Sequence, residues 1–163
     1  KMNEATDMGP MITEGEAERV ESWINEAVDK GATVAAGGRR TGTLVEPTVL
    51  ENVPADATIH HDEVFGPTVN LYPFDDLDEA IAEANSADFG LHAAGFARDA
   101  EICFRLIEGL DAGSVLINDS TDYRLDSMPF GGVKSSGLGK EGVKFSLQEM
   151  TEPKVVCWYL PGL

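Results

Sequence analysis

The strongest periodicity in the chain runs over residues 13–30, where Ala17, Val20, Ile24, Ala27 and Val28 fall on one helical stripe. Thr13 and Glu16 stand at capping-box spacing at its start, and Gly31 supplies the stop. A short apolar run follows at Thr33–Ala36, then a glycine-rich turn, then Leu44–Leu50 interrupted by Pro47. An acidic, proline-containing connector from Val53 to Asp62 leads to Thr68–Phe74, whose alternation predicts a strand. Asp76 is placed to cap a helix carrying Leu77, Ala80, Ile81 and Ala84 on one face. Leu91–Ala97 reads as a buried strand of small residues and Asp99–Leu110 as a helix with Ile102, Cys103, Leu106 and Leu110 inward. Ser114–Asn118 is a β-branched strand. Such alternation predicts an α/β fold, a three-layer parallel sheet with flanking helices. Beyond Asn118 the pattern gives way to polar and glycine-rich sequence up to Gly142, a loop long enough to be functional. A short helix over Val143–Met150 and a strand-like tail, Lys154–Leu160, follow.

Composition narrows the function classes. With 42% apolar and 25% charged residues in 163, the chain can bury a core, and no apolar run approaches the length that spans a bilayer. Lys1-Met2-Asn3-Glu4 does not resemble a secretory signal, and two cysteines make no disulfide framework, so a cytoplasmic setting is expected. Twenty-nine acidic against twelve basic residues give a formal charge of −17. That field repels phosphate backbones and anionic lipid, which disfavours nucleic-acid and membrane partners. It also suits a protein working in concentrated salt, where self-repulsion is screened, so a halophilic source is expected.

Four candidate chemical motifs reduce to ordinary structure. Gly137–Gly142 matches G-x-G-x-x-G, but only 21 residues follow, too few to complete a dinucleotide-binding βαβ unit. Gly132 and Gly137 have phosphate-loop spacing, yet Leu138 occupies the lysine position. These glycines predict positive φ or close backbone approach instead. His60-His61-Asp62-Glu63 lacks the i, i+4 spacing that aligns two histidines, His92 stands alone, and no metal is expected. Cys103 and Cys157 lie in apolar patterns without an adjacent histidine or helix N-terminus, so neither is a nucleophile candidate.

Several segments in fixed order carry a family resemblance. They are Met8-Gly9-Pro10-Met11, Glu46-Pro47-Thr48-Val49, Glu63-Val64-Phe65-Gly66-Pro67, Pro129-Phe130-Gly131-Gly132-Val133-Lys134 continuing to Gly142, and Glu149–Val156. Together they resemble the C-terminal part of the NAD(P)-dependent aldehyde dehydrogenase superfamily, of lactaldehyde and semialdehyde dehydrogenase type, over essentially the whole chain. The resemblance implies the last third of an enzyme that oxidises an aldehyde to a carboxylic acid through a cysteine thiohemiacetal, with NAD or NADP as cofactor. The catalytic cysteine, the general-base glutamate and the oxyanion asparagine are then expected upstream of Lys1, leaving this chain inactive alone. Residues 1–150 correspond to the C-terminal portion of the catalytic domain and 151–163 to a terminal oligomerisation strand.

Roles carry over residue by residue. Glu63 is expected to accept hydrogen bonds from the nicotinamide ribose, for which two carboxylate oxygens suit a vicinal diol. Phe65 is expected beside the nicotinamide; a solvated turn acid is the plain alternative for Glu63. Phe130 resembles the aromatic wall of the aldehyde entrance, or else a core phenylalanine beneath the glycine loop. Tyr123 and Arg124 are the polar anchors of the variable mouth, where the guanidinium either grips a substrate carboxylate or phosphate, or pairs with Asp122 or Asp126. Glu141 is a candidate proton relay, or an acid that favours a helix dipole. Lys140 departs from the family arginine that ties the glycine loop to the glutamate matching Glu152, and lysine lacks that planar fork. Glu152, Lys154, Val155 and Val156 belong to the strand expected to join a sheet in a second copy, making a dimer or tetramer. A non-catalytic subunit that kept the fold is the alternative.

Overall fold

The computed structural model describes residues 3–162; Lys1, Met2 and Leu163, at the outer limits of the two expected portions, lie outside the described residues. The chain divides into two compact units, Lys1–Asp75 and Asp76–Leu163, a boundary that falls within the expected 1–150 portion.

In the first unit, α1 spans Glu14–Asp29 and the hydroxyl of the extended Thr13 accepts from the Glu16 amide at 3.2 Å. Ala17, Val20, Ile24 and Ala27 are buried along the predicted stripe, but Val28, in the last turn, is exposed. Gly31 leaves the helix at φ +119°. The next elements are β1 (Thr33–Ala36), β2 (Arg40–Thr41), β3 (Leu44–Val45) and β4 (Thr48–Glu51), then the single-turn helix α2 (Thr58–His61) and β5 (Thr68–Leu71). Pro47 divides the run Leu44–Leu50 into two strands because it has no N–H for a ladder. Pro73 likewise ends β5 short of the expected Phe74.

The central strand β4 pairs antiparallel with β1, around a bulge between Val34 and Ala36, and parallel with β5. Between β1 and β4 lies just the β2–β3 hairpin, with no helix to carry a crossover, so the chain returns antiparallel. Pairing is therefore mixed where an all-parallel sheet was expected, within the α/β class. Leu50 and Ile59 pack with the α1 stripe to form the core. The apolar run at β1 lies on the surface.

The second unit opens with α3 (Leu77–Ser86), whose cap Asp76 accepts from the Asp78 and Glu79 amides at 2.8 and 3.1 Å. It continues through β6 (Phe89–Gly90), β7 (His92–Gly95), α4 (Ala100–Gly109), β8 (Ser114–Ile117), β9 (Val133–Lys134) and α5 (Val143–Glu149). Asp99 caps α4 in the same way, bonding the Glu101 and Ile102 amides. The β7–α4–β8 segment is a parallel βαβ unit with His92 opposite Ser114, and β6 pairs antiparallel with β9. Leu77, Ala80, Ile81, Cys103, Leu106 and Leu110 are half-buried as the periodicity places them, whereas Ala84 and Ile102 are exposed. The strand expected over Leu91–Ala97 contracts to four residues and is half-buried apart from the buried Gly95. Lys154–Leu160 joins no strand among the described residues.

Candidate functional site

In the first unit, the turn at Glu63–Pro67 is pinned from both ends. Upstream, Ile59 of α2 is buried, and the Thr58 amide donates to Glu26 Oε2 at 3.0 Å. Lys30 lies 2.7 Å from the other Glu26 oxygen and 3.4 Å from Asp56. The Lys30 ammonium, helped by the Thr58 amide, holds the Glu26 carboxyl below its usual range, and Glu26 in turn raises Lys30. Downstream, the Pro67 carbonyl accepts from the Thr48 amide at 2.8 Å, tying the turn to β4.

The centre of the turn is held by α1. Arg19 donates to the Val64 carbonyl at 2.7 Å, pairs with Glu16 and lies over the Trp23 ring at 4.6 Å. Gly66 rests directly on the buried Val20: a Cβ there would stand 2.7 Å from Val20 Cγ2, so the approach requires glycine. Between these two anchors Phe65 adopts φ +47°, a left-handed conformation that costs about 1–2 kcal/mol for a residue with a Cβ. The strained backbone turns the phenyl ring outward, 78% exposed. Glu63 is also exposed, and its carboxylate has no bonded partner among the described residues. An unengaged carboxylate with two acceptor oxygens, two residues from an uncovered aromatic face, fits a ribose diol followed by a flat heteroaromatic ring.

His60 and His61 stand on α2, and His60 Nδ1 lies 2.9 Å from the Tyr72 hydroxyl. No group of three or more His, Cys, Asp or Glu side chains is gathered for a metal among the described residues.

In the second unit, an antiparallel bridge joins Phe130 to Glu141: the Phe130 amide donates to the Glu141 carbonyl at 3.0 Å, and the Glu141 amide to the Phe130 carbonyl at 2.6 Å. This doubles the glycine segment back on itself. Gly113 lies against its base, where an added Cβ would meet the Gly131 carbonyl oxygen. Lys140 Nζ donates to the Gly131 and Gly132 carbonyls, so the lysine braces the glycine loop itself. Phe130 is half-buried, neither core nor free. Arg124 is paired with neither Asp122 nor Asp126. Its guanidinium lies 4.1 Å over the Phe130 ring and 3.7 Å from the exposed Glu141 carboxylate. Asp122 instead accepts from the Ser120 hydroxyl. His92 meets Phe130 edge to face at 5.1 Å, and Tyr123, Met128 and Pro129 complete the small niche. Glu141 precedes α5 by two residues, with Gly142 as cap.

Glu152, Lys154, Val155 and Val156 are exposed along an irregular segment, with no bonded partner among the described residues. Cys103 is half-buried with its sulfur 3.8 Å from the Ala97 carbonyl; Cys157 is exposed, so an apolar pattern alone did not bury it.

Sequence reasoning missed Arg19 and His92. Arg19 carried a local signal, standing three residues after Glu16 and four before Trp23. His92 carried another, as the polar start of an otherwise small apolar strand.

The aldehyde dehydrogenase family profile matches residues 1–156. The 3-sulfolactaldehyde dehydrogenase of Priestia aryabhattai is 45% identical over 155 residues, covering 95% of this chain and 32% of that protein. Among solved structures, aldehyde dehydrogenase 21 from Physcomitrella patens in complex with the reaction product succinate superimposes with a TM-score of 0.94 at 42% identity, covering 98% of this chain and 33% of the other. The glyceraldehyde-3-phosphate dehydrogenase of Methanocaldococcus jannaschii complexed with NADP gives 0.86 at 43% identity, covering 91% and 32%. The chain spans about a third of the length of the relatives it matches.

Proposed function

This chain belongs to the aldehyde dehydrogenase family, and we propose that it forms the C-terminal third of an NAD(P)-dependent enzyme that oxidises an aldehyde to its acid. The nucleophilic cysteine, the general base and the oxyanion asparagine lie on the remainder of that polypeptide, so this portion is inactive alone. Glu63 holds the ribose hydroxyls of the cofactor, and Phe65 limits the travel of the nicotinamide across the site. When bound, the pyridinium ring supplies the two-electron acceptor. Phe130 and Tyr123 wall the aldehyde entrance, and Arg124 offers its guanidinium to an oxyanion on the substrate tail. Glu141, the candidate proton relay, also supplies the counter-charge of Arg124.

Assembly and setting complete the proposal. Residues 154–156 add as a strand to a sheet in a second copy, since an exposed, strand-like apolar sequence without a pairing neighbour needs one. The charge of −17 supports a salt-rich cytoplasm as its setting.

The observation that carries this reading is the unengaged Glu63 carboxylate beside the uncovered Phe65 ring on a turn held by Arg19 and Gly66. Its test is the dinucleotide Kd of the full-length polypeptide, read by quenching of protein fluorescence. Glu63→Gln is expected to weaken binding by about tenfold or more, the value of a hydrogen bond to a charged group. An unchanged Kd for both NAD and NADP overturns the assignment.

A further inference from the structure

β7 is an odd place for an imidazole. Its other residues are Ala93, Ala94 and Gly95, and its partner strand presents Ser114, Val115, Leu116 and Ile117. His92 Nδ1 lies 2.9 Å from the Thr121 carbonyl oxygen. A carbonyl can only accept, so Nδ1 carries the hydrogen and donates it. The same ring makes its edge-to-face contact with Phe130, which underlies the Arg124 guanidinium. One side chain on a regular strand thus holds both the loop that carries Arg124 and the aromatic surface on which Arg124 rests.

We propose that His92 is a specificity-determining positioning residue: by fixing Thr121 and Phe130 it sets Arg124 to receive a carboxylate or sulfonate on the substrate tail. This rests on the substrate-mouth reading given above. A free arginine loses considerable rotamer freedom when it grips an anion, and a guanidinium already laid on an aromatic face loses less. Glu141, 3.7 Å away and largely exposed, is a weak competitor that an incoming oxyanion displaces at little cost. Without His92, Thr121 loses its donor and Phe130 its edge contact, so Arg124 would have to be ordered at each binding event.

The full-length polypeptide separates the two ideas, using succinate and butyrate as probes in titration calorimetry. They match in chain length and differ in the terminal carboxylate. His92→Ala is expected to weaken succinate by about tenfold, the loss of one hydrogen bond and one ring contact, and to leave butyrate within about twofold. His92→Gln, which keeps a donor for Thr121, recovers part of that loss. Arg124→Ala abolishes the preference for succinate, and adding His92→Ala to it costs nothing further, because His92 acts through the arginine. Dinucleotide affinity stays unchanged in all four variants, which reports on intact folding. Equal effects of His92→Ala on both probes, no effect on either, or additive losses in the double variant overturn the role of His92. No preference for succinate in the parent, or one that survives Arg124→Ala, overturns the mouth reading itself.

Discussion

Adding one methyl group at Gly113 and at Gly15 should have opposite consequences. Gly113 leads into β8, and its amide donates to the Gly90 carbonyl at 2.9 Å. A Cβ built there stands 1.8 Å from the Gly131 carbonyl oxygen, 2.8 Å from its carbon and 3.0 Å from Gly132 Cα. All three are backbone atoms, with no rotamer to yield. An ordinary carbon–oxygen contact needs about 3.3 Å, so the two segments must part by about 1.5 Å. Gly131 is the residue after Phe130, and its carbonyl is also a seat of Lys140. The displacement therefore reaches the aromatic wall. Overpacking of this kind costs about 3 kcal/mol or more. Gly15 lies in the first turn of α1, with Thr13 Oγ1 at 4.0 Å as the nearest atom to an added Cβ. There the methyl restricts the unfolded chain and should stabilise by about 0.5–1 kcal/mol. Urea unfolding of the two variants in the full-length polypeptide is the assay, read as the shift in midpoint against the parent. Gly113→Ala should also weaken succinate, while Gly15→Ala should not. Shifts in the same direction, or a Gly113→Ala midpoint equal to that of the parent, would refute the close approach of these two backbones.

Four further outcomes follow, three from the same geometry and one from the net charge. Because the folded Glu26 carboxyl titrates below its ordinary 4.5, its stabilisation is complete above that pH and is lost as pH falls through the lower folded value; Glu26→Gln should flatten the acid limb of a stability–pH curve below 4.5. Lys30, raised above 10.5, contributes fully below that pH, and its contribution disappears as pH rises through the folded value, a limb that Lys30→Met should flatten. Arg19→Ala removes the donor to the Val64 carbonyl and releases Phe65 from φ +47°; dinucleotide Kd should rise about fivefold, the value of one such bond, and Arg19→Lys should not restore it, since the planar stack on Trp23 is lost. With a net charge of −17, the melting temperature should climb as KCl rises from about 0.1 M to about 1 M, where the screening length shrinks from about 10 Å to about 3 Å; a flat or falling trend would count against the salt-rich setting.

What could be read in the chain was local. The α1 stripe, the caps Thr13 and Asp76, the stop at Gly31 and the break at Pro47 are set by neighbours within one turn of helix or one residue of strand. Antiparallel pairing of β1 with β4 depended on what lay between them, and the alternation rule says nothing about direction. The pairs that build the two candidate sites were hidden for another reason. Arg19 reaches Val64 across 45 positions and His92 reaches Thr121 across 29, and in both cases the acceptor is a main-chain carbonyl. Every residue has that group, so the partner's identity leaves no mark on the sequence. The donor can be suspected from its misplaced polarity, but its target is set by the fold.

The accessible surface supports the proposal that the chain is one portion of a larger body. The chain exposes 11943 Å², whereas two separately compact bodies of half its mass would together expose about 9,500 Å². Part of the excess is the C-terminal tail, where Val155, Trp158 and Tyr159 are uncovered. The rest lies on well-formed amphipathic elements: Phe104 and Ile107 of α4, and Val143 and Leu147 of α5, with Met150 just beyond it. Neither α3 nor α4 buries a side chain, and Leu116 is the one hydrophobic buried in the second unit among the described residues. A sequence patterned for α/β layers, yet with so small a core of its own, has apolar faces made for a surface it does not contain. On the reading proposed here, that surface is the remaining two thirds of the polypeptide, so the faces that keep the second unit from closing a core also carry its niche to the catalytic cysteine.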